Sequence, residues 1–285
     1  MTDPTPGTDR TPGTDRTPDT DRAHDTDPTS HADPTHETDH HAPAGLRTRG
    51  TVVVVPGRGE TRATYTRLGR RLAADAYRVR VIDAPDIDPR EPAASLTALA
   101  HRVAAAVEGT AGEDGVVHPV VLLGADTGAA ALGALAGVPG APRPDALVLA
   151  GLPGEGAAAV GTWDEELDVR TSCPAHRGTL SEDSQVARGA LGTPLPAALL
   201  TAAHDSEPGV PVLLLAGDAD PLADHEALAR TAKSLDRARL SVVRGAHHDV
   251  LNDLQHRSVA AEIVTFLETL RNELKPLIAV ESSAW

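Results

Sequence analysis

One cysteine, Cys173, occurs in 285 residues. It has no internal disulfide partner, which argues against a disulfide-built secreted scaffold and makes a reducing, cytoplasmic setting the expectation. No apolar run approaches the ~20 residues that a membrane helix needs, so no span is expected. The first residues offer neither a basic start nor an apolar core, so no secretory signal is expected. Positive charge is also in short supply. Lys and Arg total 26 against 41 Asp and Glu, a net charge of −15. Such a balance repels phosphate and argues against a nucleic-acid partner. Lysine is confined to Lys233 and Lys275, a bias that reads as GC-rich coding and not as function. The nucleotide and metal fingerprints are missing as well. The segment from Pro56 to Glu60 has a glycine pair, but no third glycine opens a helix, and neither a P-loop nor an H-E-x-x-H pair occurs. No cofactor and no metal is expected.

What is present divides into two parts. Residues 1–44 form a decaying hexapeptide repeat, TPGTDR-TPGTDR-TPDTDR onward, without a single Val, Ile, Leu, Phe, Trp or Tyr. Ten acidic residues face only Arg10, Arg16 and Arg22. With nothing to bury, the ordering entropy cannot be offset, so a disordered tail is expected. Its five histidines (His24, His31, His36, His40 and His41) lack ligand spacing and read as solvated tail.

Residues 45–285 read as one α/β domain. Apolar strand runs at 51–55, 78–85, 119–124, 146–153, 210–220 and 238–246 alternate with helical patterns at 62–76, 95–109, 127–136, 224–235 and 256–274. Ser95 is the expected cap of the second of these helices. Strands that are apolar throughout and separated by single helices imply a mostly parallel sheet buried on both faces. Sites in such sheets lie in loops at the carboxyl ends of the strands. Residues 154–208 break the alternation, with no clear strand, and form a candidate cap over the site.

Three strand ends carry chemistry-bearing residues. After the strand at 119–124 comes Gly124-Ala125-Asp126-Thr127-Gly128, which has the G-x-nucleophile-x-G spacing of a strand-to-helix elbow. Asp218-Ala219-Asp220-Pro221 follows the next relevant strand, and His247-His248-Asp249 follows the last. Nucleophile position, acid and histidine therefore occur in the α/β-hydrolase order. The resemblance is specific. VVVVPGRGE resembles the H-G-x-G-E strand end of monoglyceride-lipase and lysophospholipase-like α/β hydrolases, AGDADPLA resembles their acid loop, and GAHHDVLND resembles their histidine loop. It extends over about residues 50–274.

The resemblance implies an α/β-hydrolase fold with a short cap. It makes Asp220 the acid, His248 the general base, and the backbone N–H groups of Arg58 and Thr127 the oxyanion hole. Asp218 and His247 are the neighbouring alternatives. Trp163 is expected to anchor the cap, facing the site or the core. Cys173 and His176 read as cap packing, Glu60 as a helix N-terminal acid, and the Arg58 side chain as a solvated loop charge. The implied activity is hydrolysis of a small, fairly apolar substrate such as an ester or a lysophospholipid.

Two positions depart from that pattern. Pro56 stands where the family has histidine, and Asp126 stands where it has the nucleophilic serine. A carboxylate is ionised at neutral pH without a base, so it can attack a saturated carbon, as in dehalogenases and epoxide hydrolases of this fold. Thr127 follows it where the dehalogenase pattern has a tryptophan, and Tyr65 and Tyr77 lie outside the cap. A degenerate hydrolase that binds without reacting is the alternative reading.

Overall fold

The computed structural model of the protein describes residue 1, residues 37–279 and residues 281–282. Most of the repeat tail therefore lies outside the described residues. The described residues from 37 onward belong to one compact unit. It is built on a seven-stranded sheet: β1 (Glu37–His40), β2 (Thr51–Val55), β3 (Arg78–Ile82), β4 (Val120–Ala125), β5 (Ala146–Ala150), β6 (Val212–Gly217) and β7 (Ala238–Val243). The spatial order is β1-β3-β2-β4-β5-β6-β7. All neighbours pair parallel except β1 with β3.

The central strands β2, β4, β5 and β6 are apolar on both faces because helices cover both. Val53, Val55, Leu122, Leu147, Leu149 and Leu214 point into one layer with α2 (Pro92–Glu108), α3 (Thr127–Ala134) and α7 (His225–Ser234). The alternate residues Val52, Val54, Val79, Val121, Leu123 and Leu213 point into the other, against α1 (Thr66–Ala74) and α8 (His256–Arg271). This period of two with no polar face is the signature of a doubly covered sheet. The helices bury stripes at 3.6 spacing: Leu68 and Leu72 on α1, and Val259, Ile263, Phe266 and Leu267 on α8. Asp224 caps α7 by accepting from the backbone N–H of Ala227 at 2.8 Å.

Several expectations need correction. Residues 37–40, assigned above to the disordered tail, form the antiparallel edge strand β1. No apolar side chain holds it. Instead its backbone pairs along β3, and Asp39 meets Arg80 at 2.6 Å and Arg78 at 3.1 Å. α2 begins at Pro92, three residues before Ser95, because proline at the first helical position already has a helical φ. α8 stops at Arg271, short of 274, where Glu273 and Leu274 adopt φ values of 54° and 62°. The cap is also shorter than 154–208. Its helices are α4 (Trp163–Arg170) and α5 (Pro174–Glu182), whereas α6 (Ala197–His204) buries Leu199, Leu200 and Ala203 in the main core.

Candidate active site

The site begins with a turn that few residues tolerate. Asp126, between β4 and α3, has φ 45° and ψ −113°, a strained conformation for a residue with a Cβ. The elbow closes because its flanks are glycines. A Cβ on Gly124 would come 2.5 Å from the backbone of Gly128, and one on Gly128 would overlap the carbonyl of Val55. The Asp126 N–H donates to the carbonyl of Ala150 at 3.0 Å, fixing the turn to β5. Its side chain is thereby presented at the carboxyl edge of the sheet.

Two other strand ends converge there. His248, in the loop after β7, brings its Nε2 within 3.1 Å of Asp126 Oδ1. Its Nδ1 lies 2.9 Å from Asp220 Oδ2, in the loop after β6. Asp220 is oriented in turn by the N–H of Leu222, which donates to its Oδ1 at 2.8 Å. All three residues are buried. The alternatives are occupied elsewhere: His247 pairs with Asp253 at 2.9 Å, and Asp218 is exposed and accepts from the N–H of Gly245.

The electrostatics follow from this stacking of charges. Burial pushes the Asp126 carboxyl up, but the Arg58 charge and the His248 hydrogen bond hold it well below the ordinary carboxylate range. For His248, burial pushes the imidazole down. The Asp220 charge and the hydrogen bonds to both aspartates outweigh it and raise it to about 10. At neutral pH Asp126 is therefore a carboxylate and His248 an imidazolium.

Arg58 is not a solvated loop charge. Its Nη2 donates to Asp126 Oδ1 at 2.8 Å and its Nε to Oδ2 at 2.9 Å, a two-pronged clamp with only 10% of the side chain exposed. Its Nη1 donates to the carbonyl of Thr193 at 2.6 Å. Of the two backbone N–H groups expected to form an oxyanion hole, that of Arg58 is engaged by Asp126 itself. The Arg58 backbone N–H donates to Asp126 Oδ2 at 2.8 Å, and the Thr127 hydroxyl donates to the same oxygen at 3.1 Å. Aspartate is one atom longer than serine and ends in two oxygens, so its own Oδ2 reaches the donor position. The free space beside Asp126 and His248 is about 10 Å³, roughly one water.

Behind Asp126, Asp220 and His248 lies a polar network that the sequence reading missed. Arg170, on α4, is fully buried. It donates to Glu166 Oε1 at 2.9 and 3.1 Å, to the carbonyl of Arg58 at 2.8 Å, and faces Asp249 Oδ1 at 3.5 Å. Asp249 meets His176 Nε2 at 2.8 Å. Glu60 is buried too, accepting from the Gly57 N–H at 2.8 Å and from the Tyr65 hydroxyl. Burial, and then the Asp249 charge, push Glu60 up to about 7. It is thus no exposed helix-dipole acid. Glu60, His176 and Asp249 are close enough to share an ion, with ligand atoms within 4.8 Å of one another. Glu60 Oε2, His176 Nε2 and both Asp249 oxygens are already engaged by Tyr65, Gly57, Arg170 and each other. The one signal in the sequence was the i,i+4 spacing of Glu166 and Arg170.

The cap rests on this network. The backbone N–H groups of His248 and Asp249 donate to the carbonyls of Val169 and Arg170 at 3.2 and 2.9 Å. Trp163 belongs to the cap's own small core, with Leu167, Leu180 and Val186. Its indole N–H donates to Ser181 at 3.2 Å, and Arg188 lies 5.1 Å over the ring. It packs the cap and does not line the space at Asp126.

Among the described residues no helix is long and apolar enough to cross a membrane. A search of curated protein sequences finds no match. The family described as TAP-like protein matches residues 193–274, which hold Asp220 and His248 but not Asp126. Among solved structures, a soluble variant of monoglyceride lipase from Saccharomyces cerevisiae is similar at a TM-score of 0.65 and 14% identity, over 82% of this chain and 91% of that one. Monoacylglycerol lipase from Paleococcus ferrophilus gives 0.60 at 18%, over 82% and 98%. A thermophilic esterase from Thermogutta terrifontis gives 0.53 at 19%, over 82% and 93%. Together with the sheet order and the elbow after β4, these likenesses establish that the chain has an α/β-hydrolase fold.

Proposed function

We propose that this protein is a hydrolase of a small molecule in which Asp126 is the nucleophile, His248 moves the proton and Asp220 orients the imidazole. The observation that carries this reading is the buried array of His248 between Asp126 and Asp220, at 3.1 and 2.9 Å.

The charge states favour attack on carbon. An oxygen of Asp126 bonds to a saturated carbon of the substrate, and the leaving group departs with the bonding pair. That group takes the proton of the His248 imidazolium. Esterified Asp126 carries no charge, so one of the two anions that raise His248 is gone and the imidazole is left neutral. It can then take a proton from water as the water oxygen attacks Asp126 Cγ. The product alcohol leaves with the second proton of that water. Asp126 regains its charge and His248 its proton, and the cycle closes. Asp126 as a general base towards an ester, such as the acylglycerols named for the lipases of similar fold, is disfavoured by its depressed pKa.

A second reading, a pocket that binds without reacting, is favoured by one observation. Asp126 is fully hydrogen-bonded, with space for only about one water beside it. Turnover on p-nitrophenyl esters, lysolipids, haloalkanes and epoxides separates the two. The nucleophile reading expects turnover of a carbon electrophile, lost by about 10³-fold or more in Asp126→Ala and in His248→Ala. A wild type inactive on the whole panel would favour binding alone.

A further inference from the structure

Arg58 stands between solvent and the proposed nucleophile. Its guanidinium engages both oxygens of Asp126, and its third nitrogen is tied to the Thr193 carbonyl. The loop beneath it is pinned on two sides. Arg170 donates to the Arg58 carbonyl at 2.8 Å, and the Ala187 N–H donates to the Gly59 carbonyl at 2.9 Å. The backbone is thus held while the long side chain clamps both oxygens of Asp126. A carboxylate holding this many donors is a poor nucleophile, and a carbon electrophile cannot reach it past the clamp. The clamp must open, and a buried guanidinium leaves one anion readily only for another.

We propose that the substrate carries an anionic oxygen group, a carboxylate or a phosphate, which takes over the Arg58 guanidinium and so frees Asp126 to attack. This rests on the nucleophile reading above and gives it a substrate class. Arg58 then serves twice, shielding Asp126 in the resting protein and binding the substrate's anion during reaction. With an epoxide, an Asp126 oxygen bonds to the ring carbon as the ring C–O bond breaks, and the freed oxygen takes the proton of His248.

Two measurements test it. The first titrates inorganic phosphate into wild type and into Arg58→Met while following the imidazole ¹⁵N signals of His248 by NMR. Saturable shifts in wild type, weakened about tenfold or more in Arg58→Met, are expected. No saturable shift in wild type overturns the proposal, whatever the variant does. The second compares esterification of Asp126, read by mass spectrometry, with glycidate and with its neutral counterpart, methyl glycidyl ether. Wild type is expected to react about tenfold faster with glycidate, a difference of about 1.4 kcal/mol. Arg58→Met is expected to lose that preference and to react faster with the neutral ether. An equal preference in both proteins overturns the proposal. Absence of any Asp126 ester with either probe overturns the nucleophile reading, and the phosphate titration still decides the fate of Arg58 as an anion site.

Discussion

Replacing Arg170 by methionine tests whether the buried network holds the cap onto the loops that carry Arg58 and His248. Arg170 is 1% exposed, Glu166 0% and Asp249 5% in their side chains. Methionine keeps much of the volume but removes every donor. Glu166 retains the N–H groups of Gly189 and Leu191, and Asp249 retains His176. Two buried carboxylates nevertheless lose their cation, and the Arg58 carbonyl loses its donor. Breaking a buried pair by removing one partner costs about 3–5 kcal/mol, because the remaining charge stays buried. In a domain of this size each kcal/mol moves Tm by about 2–4 °C, so the loss is about 6–20 °C. Thermal unfolding at pH 7, followed by far-UV circular dichroism, measures it. The cost arises from uncompensated charge, so adding Glu166→Gln to Arg170→Met should restore part of the loss. A single-variant drop below about 3 °C, or a double variant worse than the sum of its parts, refutes the reasoning.

Three further outcomes are expected. His248 is raised to about 10 from its ordinary 6.5, so its contribution is full below about pH 6.5 and lost as pH climbs towards 10. Asp126 is depressed, so its contribution fades as pH falls below the ordinary carboxylate range. Denaturant unfolding at pH 7 and pH 10 should show the alkaline loss in wild type and a smaller one in His248→Gln. Glu60 is raised to about 7 from its ordinary 4.5; its ionisation therefore destabilises the fold, and Glu60→Gln should raise Tm at pH 8 but leave it nearly unchanged at pH 4. Gly128→Ala drives a Cβ into the Val55 carbonyl and should cost about 1–3 kcal/mol or more in denaturant unfolding, as overpacking does.

The parts of this protein legible in its sequence are those that neighbouring residues specify. Runs such as residues 52–55 and Val212–Gly217 are apolar at every position, which only a doubly covered strand requires, and the helices between them enforce parallel order. The elbow was readable because Gly124 and Gly128 flank one residue within a five-residue turn. Asp220 and His248 were readable because each sits one short loop beyond its own strand.

Tertiary structure alone decided how the charges pair. Arg58 and Asp126 are 68 positions apart, His176 and Asp249 73, and Arg170 and Asp249 79. A charged residue in a loop looks the same in sequence whether it meets water or a buried carboxylate. That difference lies in desolvation and in the partner's distance, which only the packed chain sets. The strand β1 is the same case. Nothing apolar marks Glu37–His40, and what makes it a strand is the open edge of β3 with Arg78 and Arg80 upon it. Hydrophobic period and turn chemistry determined the fold and the three strand ends, whereas long-range charge pairing determined what state Asp126 and His248 hold within it.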